Sequence, residues 1–516
     1  MTVRAAPRVL WLVVAAYLGL GLVYSLAVPL LRAPDEVGHV DLVEEMSGQW
    51  RYPRWDEREV SPGVAQAPHE VRFHEGSRDL VPAEARPRSE RPSFEDLGIE
   101  RGRAGPPNQL TQNPSLYYRV VGAGQWVLDA LPGDPARAWD VQTWTMRASS
   151  VLMLAALPVA VWASCRRLGV DDGPALTATL APLCIPQLFH IGSAVNNDNL
   201  ANALWWLATP VVLALGAGAL RGRAPLVAGA LTGLAMLTKQ TGLVLAVWVA
   251  LAVVVGWRRS RSGWTAMARA ALVSGAVAVA IGGWWWISNL VRFGTLTPSR
   301  FEELLPPGSP GTDVPGFVVE ALRRYAITFW AGFGHADTQL PTELCVAFSV
   351  GALVVLVALL ATPRRWSGAA LGDRLLLAAP LLMLFGSTFL NALAYYRRSG
   401  YTAGVQGRYL FGAIAALAVA GALVVQRLPG LRSRRGPVVV LVVALVIHGF
   451  ALERILDRYW GDDRGWVGQL RAIAAWSPLP PVPFVVVTAG AAAAVLALGA
   501  ALLLRQPRSA LARPDR

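Results

Sequence analysis

A chain of 516 residues that is 54% hydrophobic and only 16% charged, with a mean hydropathy of +0.41, is not a soluble protein of two or three domains. Its apolar residues fall in long blocks, each near the ~20 residues that cross a hydrocarbon core. The net charge of +13 comes from 46 arginines and one lysine, mostly in short loops between those blocks. That is the positive-inside pattern of a membrane protein and excludes a nucleic-acid-binding face.

The first block, 9–31, follows MTVRAAPR and resembles a signal sequence, with a weak cleavage pattern around Ser25 to Ala27. It runs on past that point, so it is expected to stay as the first span. Further spans are expected at 145–164, 174–190, 199–219, 225–238, 241–256, 267–287, 343–361, 375–394, 408–425, 437–452 and 483–504. The 225–238 and 241–256 pair is short enough for a tight hairpin that does not fully cross. The 483–504 block reads as a plain lipid-facing span. The expected fold class is therefore an all-α integral membrane protein, one polytopic domain over 1–516 with about 12 transmembrane helices.

With the N-terminus placed in the cytoplasm, the inner loops carry 20 arginines, from Arg4 and Arg8 to Arg513 and Arg516, against four acids: Asp171, Asp172, Asp373 and Asp515. That bias sets the orientation, with both termini cytoplasmic and the chain in the inner or plasma membrane. Three long segments then lie outside: 32–144, 288–342 and 453–482. The first carries 16 of the chain's 34 acids between residues 32 and 112. Its ends read as helices near 36–48 and 114–130, and its middle (61–107, rich in Pro, Arg and Glu) has the composition of a flexible stretch. Segments of that length in a compact protein are functional or disordered.

Chemistry-bearing motifs gather on that outer side. RAPDEVGHV (32–40) sets Asp35 beside Glu36, with His39 one helical turn on. Two carboxylates and an imidazole at a membrane–water boundary suit general-base work or a divalent cation, although Asp35 also fits a simple N-cap. GSAVNNDNLANALWW (192–206) places Asn196, Asn197, Asp198 and Asn199 at the outer end of a span. A cap accounts for one of the four; substrate contact accounts for more. LTKQTG (237–242) holds Lys239, the only lysine in the chain, which is either a phosphate-binding point charge or a snorkelling side chain.

Next comes WWWISNLVRFG (284–294), whose tryptophans read as interface anchors and whose Asn289 and Arg292 read as candidate substrate contacts. YYRRSGYTAGVQGRYLF (395–411) groups Arg397, Arg398, Gln406, Arg408 and Tyr409 in one outer loop, a composition suited to a phosphate arriving from the lipid. His335 and Asp337, in FWAGFGHAD, are weaker candidates. Cys165, Cys184 and Cys345 have no metal or redox spacing. The chain lacks P-loop, Rossmann, HExxH and GxSxG patterns, which argues against a nucleotide-hydrolysing pump.

Six of these motifs recur together and in order: PDExxH after the first span, PxLYY ending the first outer segment, NNDxLAN, LTK, WxxxNxxxxG and QGRY. In this the chain resembles a bacterial family of multi-span membrane proteins that is similar to the GT-C glycosyltransferases, among them protein O-mannosyltransferases and aminoarabinose transferases. The resemblance covers about residues 9–411. One departure is NPSLYY (113–118), where the pattern has His-Pro-Pro; a catalytic role at Asn113 does not carry over.

The resemblance implies a helical body with a large first extracytoplasmic loop over the active site. It implies transfer of a sugar from a polyprenyl-phosphate carrier to a cell-envelope acceptor (glycan, lipid or protein), with Asp35 as base. Asn197, Asp198, Lys239, Asn289, Arg292, Arg397, Gln406, Arg408 and Tyr409 would contact substrate, while Glu36 and His39 would orient Asp35 or hold a divalent cation. The competing readings are a transporter or flippase of a lipid-linked saccharide, and a non-catalytic envelope-assembly protein. A transporter would place ionisable residues at mid-bilayer, and almost none are found there.

Overall fold

A proline often decides where an apolar helix stops, because it lacks the N–H that the previous turn needs. The first helix, α1 (Arg8–Ala27), ends two residues before Pro29. The expected span to 31 is therefore too long: residues 28–31 form a turn, with Leu31 in the left-handed region at φ 65°. The structure is a computed structural model describing residues 8–49, 51–54, 56–70, 85–101, 104–130, 137–298, 308–361, 369–427 and 435–504. Arg4, Arg513 and Arg516, like residues 71–84 of the first long segment, lie outside the described residues.

That segment is folded at both ends and in parts of its middle. It holds α2 (Glu36–Gly48), α3 (Pro62–Glu70), α4 (Phe94–Arg101) and α5 (Leu116–Asp129). In the described part of the middle, whose composition suggested partial flexibility, α3 packs on α4. A Cβ at Gly63 would stand 1.9 Å from the Phe94 carbonyl oxygen, so only glycine allows that approach. Asp41, on α2, fixes the segment by accepting from Arg58, Asn108 and the Ser61 N–H.

The bundle continues through α6 (Trp139–Met153) and α7 (Ala156–Arg167), one 29-residue span with a break at Leu154, four residues before Pro158. Next come α8 (Asp172–Leu180) and α9 (Pro186–Gly192), which, with 181–184 extending α8, make a broken span bent by 70° between Cys184 and Pro186. Then follow α10 (Asp198–Gly216), α11 (Ala224–Met236), α12 (Thr241–Ser260), α13 (Trp264–Ala278) and α14 (Trp284–Phe293). At 13 residues, α11 reaches about 20 Å at 1.5 Å per residue, short of a hydrocarbon core. Gly242 seats α12 against the backbone of Ala235 and Met236, closing the tight hairpin that its length suggested.

Helix α15 (Val314–Trp330) lies in the second long segment, and α16 (Thr342–Ala361) begins the later spans, followed by Leu371–Ser399, Gly407–Val425, Arg435–Trp460 and Pro481–Leu503. Among the described residues ten helices are long and apolar enough to cross a membrane, eleven if the bent pair is one span; α11 completes the twelve blocks seen in the sequence. The last helix is not wholly lipid-facing, since Ala491 meets Gly19 of α1 and Leu498 and Leu502 are buried. Such small-residue crossings let helices approach closely. The described non-helical pairing is a two-residue hairpin, Gly332–Phe333 with Thr338–Gln339, plus an isolated bridge from Glu59 to Pro107.

Candidate functional site

Four of the singled-out residues meet although they come from four places in the chain. Asp35 follows α1, Asp198 opens α10, Lys239 sits in the turn between α11 and α12, and Arg408 lies in the short 3-10 helix Gly407–Ala413. Arg408 Nη2 donates to Asp35 Oδ2 at 2.5 Å, and its Nε stands 3.7 Å from Asp198 Oδ2. Lys239 Nζ donates to the other oxygen of Asp198 and lies 4.8 Å from the Tyr409 ring centroid, within cation–π range.

The cluster is charge-balanced, two cations against two carboxylates, yet it is not hydrogen-bond-saturated. Arg408 Nε and Asp198 Oδ2 are buried and have no hydrogen-bond partner. Buried polar atoms of this kind are few in native proteins and call for an explanation.

Asp35 departs from the simple cap. It sits in the left-handed region at φ 63°, and its side chain makes no capping hydrogen bond to α2. A non-glycine residue held there is strained, and here the conformation carries the carboxylate to Arg408. The side chain is 34% exposed, against 3% for Arg408. Burial by itself would raise the Asp35 pKa. The Arg408 guanidinium, helped by Lys239, outweighs it and holds the group below the ordinary carboxylate value, so it is ionised at neutral pH.

Glu36 belongs to a different structure. It is fully buried and paired bidentately with Arg147 of α6, at 2.7 and 2.6 Å. It also accepts from the backbone N–H groups of Ala33 and Val195. With all its acceptor capacity used, Glu36 ties the Asp35 turn to α6 and to the turn before α10.

His39 is buried, hydrogen-bonded through Nδ1 to the Tyr118 hydroxyl at 3.0 Å and stacked on that ring. Burial lowers its pKa to about 3, so the imidazole is neutral. The stack continues from Tyr118 to Tyr52, whose ring meets Trp285 edge-on, joining α2 to the tryptophan belt of α14. Among the described residues no group of three or more His, Cys, Asp and Glu side chains is placed to hold a metal ion.

The remaining candidates divide. Asn196 caps Asp198 through its side-chain oxygen, Asn197 donates to the Thr238 carbonyl, and Asn199 donates to the carbonyls of Ile191 and Ala194. These asparagines build the turn that presents Asp198. Gln406 precedes the Arg408 turn, its carbonyl accepting from the Tyr409 N–H. Asn289 instead donates to Leu296 and steadies the chain after α14. Arg292 and Arg397 are exposed on the last turns of their helices, outside the cluster.

A cavity of about 460 Å³ opens beside Asp35, lined also by Arg32, Gly38, His69, Gln109 and His335. Sequence reading missed Arg147, Tyr117 and Arg32. Tyr117, in the PxLYY motif, bonds Ser150 and accepts from the Asn196 N–H, so that motif's first aromatic position was the available signal. Arg147 and Arg32 gave none, because their partners lie more than a hundred residues away.

The family profile described as "Predicted membrane protein (DUF2142)" matches residues 18–418. No curated protein matches the chain. Among solved structures, ArnT from Cupriavidus metallidurans bound to undecaprenyl phosphate is 16% identical with a TM-score of 0.45, over 96% of this chain and 77% of that one. The same protein in the apo state gives 15% and 0.46, over 95% and 76%. The Archaeoglobus fulgidus oligosaccharyltransferase in complex with Zn and sulfate gives 15% and 0.37, over 72% of this chain and 49% of that chain.

Proposed function

The chain belongs to the DUF2142 family of predicted membrane proteins, and from that premise and the geometry of the cluster we propose that it is a GT-C-type glycosyltransferase. It takes a sugar from a polyprenyl-phosphate carrier and passes it to a hydroxyl of a cell-envelope acceptor on the extracytoplasmic side. The carrying observation is the Asp35–Arg408–Asp198–Lys239 cluster: an ionised, part-exposed carboxylate touching a guanidinium that still has an unpartnered N–H.

Those groups suit the reaction. As the acceptor oxygen attacks the anomeric carbon, Asp35 takes its proton. The bond from that carbon to the phosphate oxygen breaks, and the phosphate leaves with the electron pair. In this reading Arg408 and the Lys239 ammonium stabilise the charge that develops there. Asp198 holds both cations in position between turnovers. Neutral His39, fixed by Tyr118, shapes the wall behind Asp35 without competing for its proton. The ordered motifs PDExxH, NNDxLAN, LTK and QGRY, which carry all four cluster residues, support the same reading.

The test is the extracytoplasmic glycan of cells in which this gene is replaced by Asp35→Asn. The amide keeps the shape and removes the basicity, and an Asn caps about as well as Asp. Loss of the glycan with normal protein levels is expected; full complementation would exclude Asp35 as the base. Orientation is tested by labelling from outside: Ser93→Cys and Trp466→Cys should react and Ser260→Cys should not. The native cysteines leave little background, since Cys165 and Cys345 are buried and Cys184 partly so.

A further inference from the structure

The cavity beside Asp35 has a guanidinium on its wall that the transfer chemistry does not use. Arg32 lines it, three positions before Asp35, together with His69 and His335. The Arg32 side chain is only 6% exposed. Its Nη2 donates to Asp337 Oδ2 at 2.5 Å, while its Nε has no hydrogen-bond partner. Asp337 is itself divided, because the Tyr459 hydroxyl donates to it at 2.6 Å and Arg458 approaches at 3.7 Å. Two guanidinium groups and a hydroxyl thus converge on that one carboxylate. A poorly hydrated guanidinium in such a place is a strong site for a planar or tetrahedral oxyanion.

The turn that carries Arg32 is bracketed by two left-handed residues, Leu31 and Asp35, and it sets both charged side chains on the same cavity wall. The other acid of that wall, Glu36, is consumed by Arg147. Arg408, Lys239 and Asp198 are not among the lining residues, so Asp35 is the one member of the cluster that the cavity touches. Pro68, Pro106 and Leu110 give it an apolar side. About 460 Å³ is within the range that holds a small organic molecule.

We propose that this cavity seats the acceptor, and that the acceptor is an anionic polyol. Its phosphate or carboxylate group sits on Arg32 while a hydroxyl a few bonds away meets Asp35. The role of the hydroxyl rests on the glycosyltransfer reading; the anion site does not.

The test is direct binding to the purified full chain in detergent, with sn-glycerol 3-phosphate, glycerate and neutral glycerol as probes. Glycerol 3-phosphate is expected to bind and glycerol not; glycerate binding as well widens the class from phosphates to carboxylates. Arg32→Gln is expected to weaken binding tenfold or more. Asp337→Asn removes the competing carboxylate and is expected to tighten it several-fold. Opposite signs separate the site from damage to the fold, which would weaken binding in both variants. Lys239→Gln is expected to leave glycerol 3-phosphate binding within twofold. Loss in Lys239→Gln with none in Arg32→Gln would put the anion on the donor side and overturn the inference. So would equal loss in Arg32→Gln and Asp337→Asn, or equal binding of glycerol and the anions, or no binding at all. None of these results bears on Asp35→Asn in cells, so the acceptor site and the transferase reading stand or fall separately.

Discussion

Asp35 and Glu36 are neighbours in sequence and opposites in setting. Glu36 is fully buried, held by four donors and paired with a guanidinium that meets no other acid among the described residues. Asp35 is a third exposed, makes one charge-assisted hydrogen bond, and shares its guanidinium with Asp198. The difference separates a carboxylate that fastens the fold from one with capacity to spare for a substrate. Complete satisfaction is a structural trait, and incomplete satisfaction beside a cavity is a chemical one.

The comparison breaks most sharply at Asp35. Asp35→Asn should lower transfer by ~10²–10⁴-fold while leaving the thermal unfolding midpoint within a few degrees; a large drop in that midpoint would return Asp35 to the framework. Across the divide, Arg147→Ala should strand a buried carboxylate and cost about 3–5 kcal/mol of stability, read as loss of folded protein in detergent. An Arg147→Ala protein that unfolds normally would deny Glu36 its fastening role. Asp198→Asn should fall between the two, with Lys239 and Arg408 losing their organiser and transfer dropping about tenfold or more. Arg292→Gln and Arg397→Gln, both exposed and outside the cluster, should change stability by no more than about 0.5 kcal/mol and leave the envelope glycan intact.

Acid sharpens the same contrast without a mutation. His39 has a folded pKa of about 3 against an ordinary 6.5. Between those values the unfolded chain binds a proton that the folded chain does not, so stability falls as pH is lowered through that window. Asp35 runs differently: its folded pKa is depressed, so its pairing contributes above the ordinary carboxylate value and is lost only below it. Transfer limited by ionised Asp35 should therefore hold at mildly acidic pH while the unfolding midpoint is already declining. Parallel loss of both would contradict the assignment.

Much of this architecture was legible because its causes are local. Apolar blocks give spans, and the helices at 36–48 and 116–129 follow from short-range patterning. The cluster was legible for another reason: a lone lysine, an Asn/Asp run and an outer arginine are each expensive beside hydrocarbon. Helix phase was not legible, and so Arg292 and Arg397, plausible by position, turn out to be exposed and outside the cluster. Nor was the partner of Glu36, since nothing near Arg147 marks it as anything but the start of a span. Helix α15 was hidden inside a segment read as a loop, and its exposed Val319 and Leu322 show why: its apolar face is not confined to one buried stripe.

The crossing of Gly19 on Ala491 has a consequence for biosynthesis. Helix α1 packs closely on Pro481–Leu503, which is made long after it. Asp35, Asp198, Lys239 and Arg408 have all been made before that helix, so the cluster can assemble while one flank of α1 still faces lipid. Pro481–Leu503 then seals a wall that the earlier helices left open, and a chain cut short before Pro481 would keep every residue of the cluster while lacking that seal.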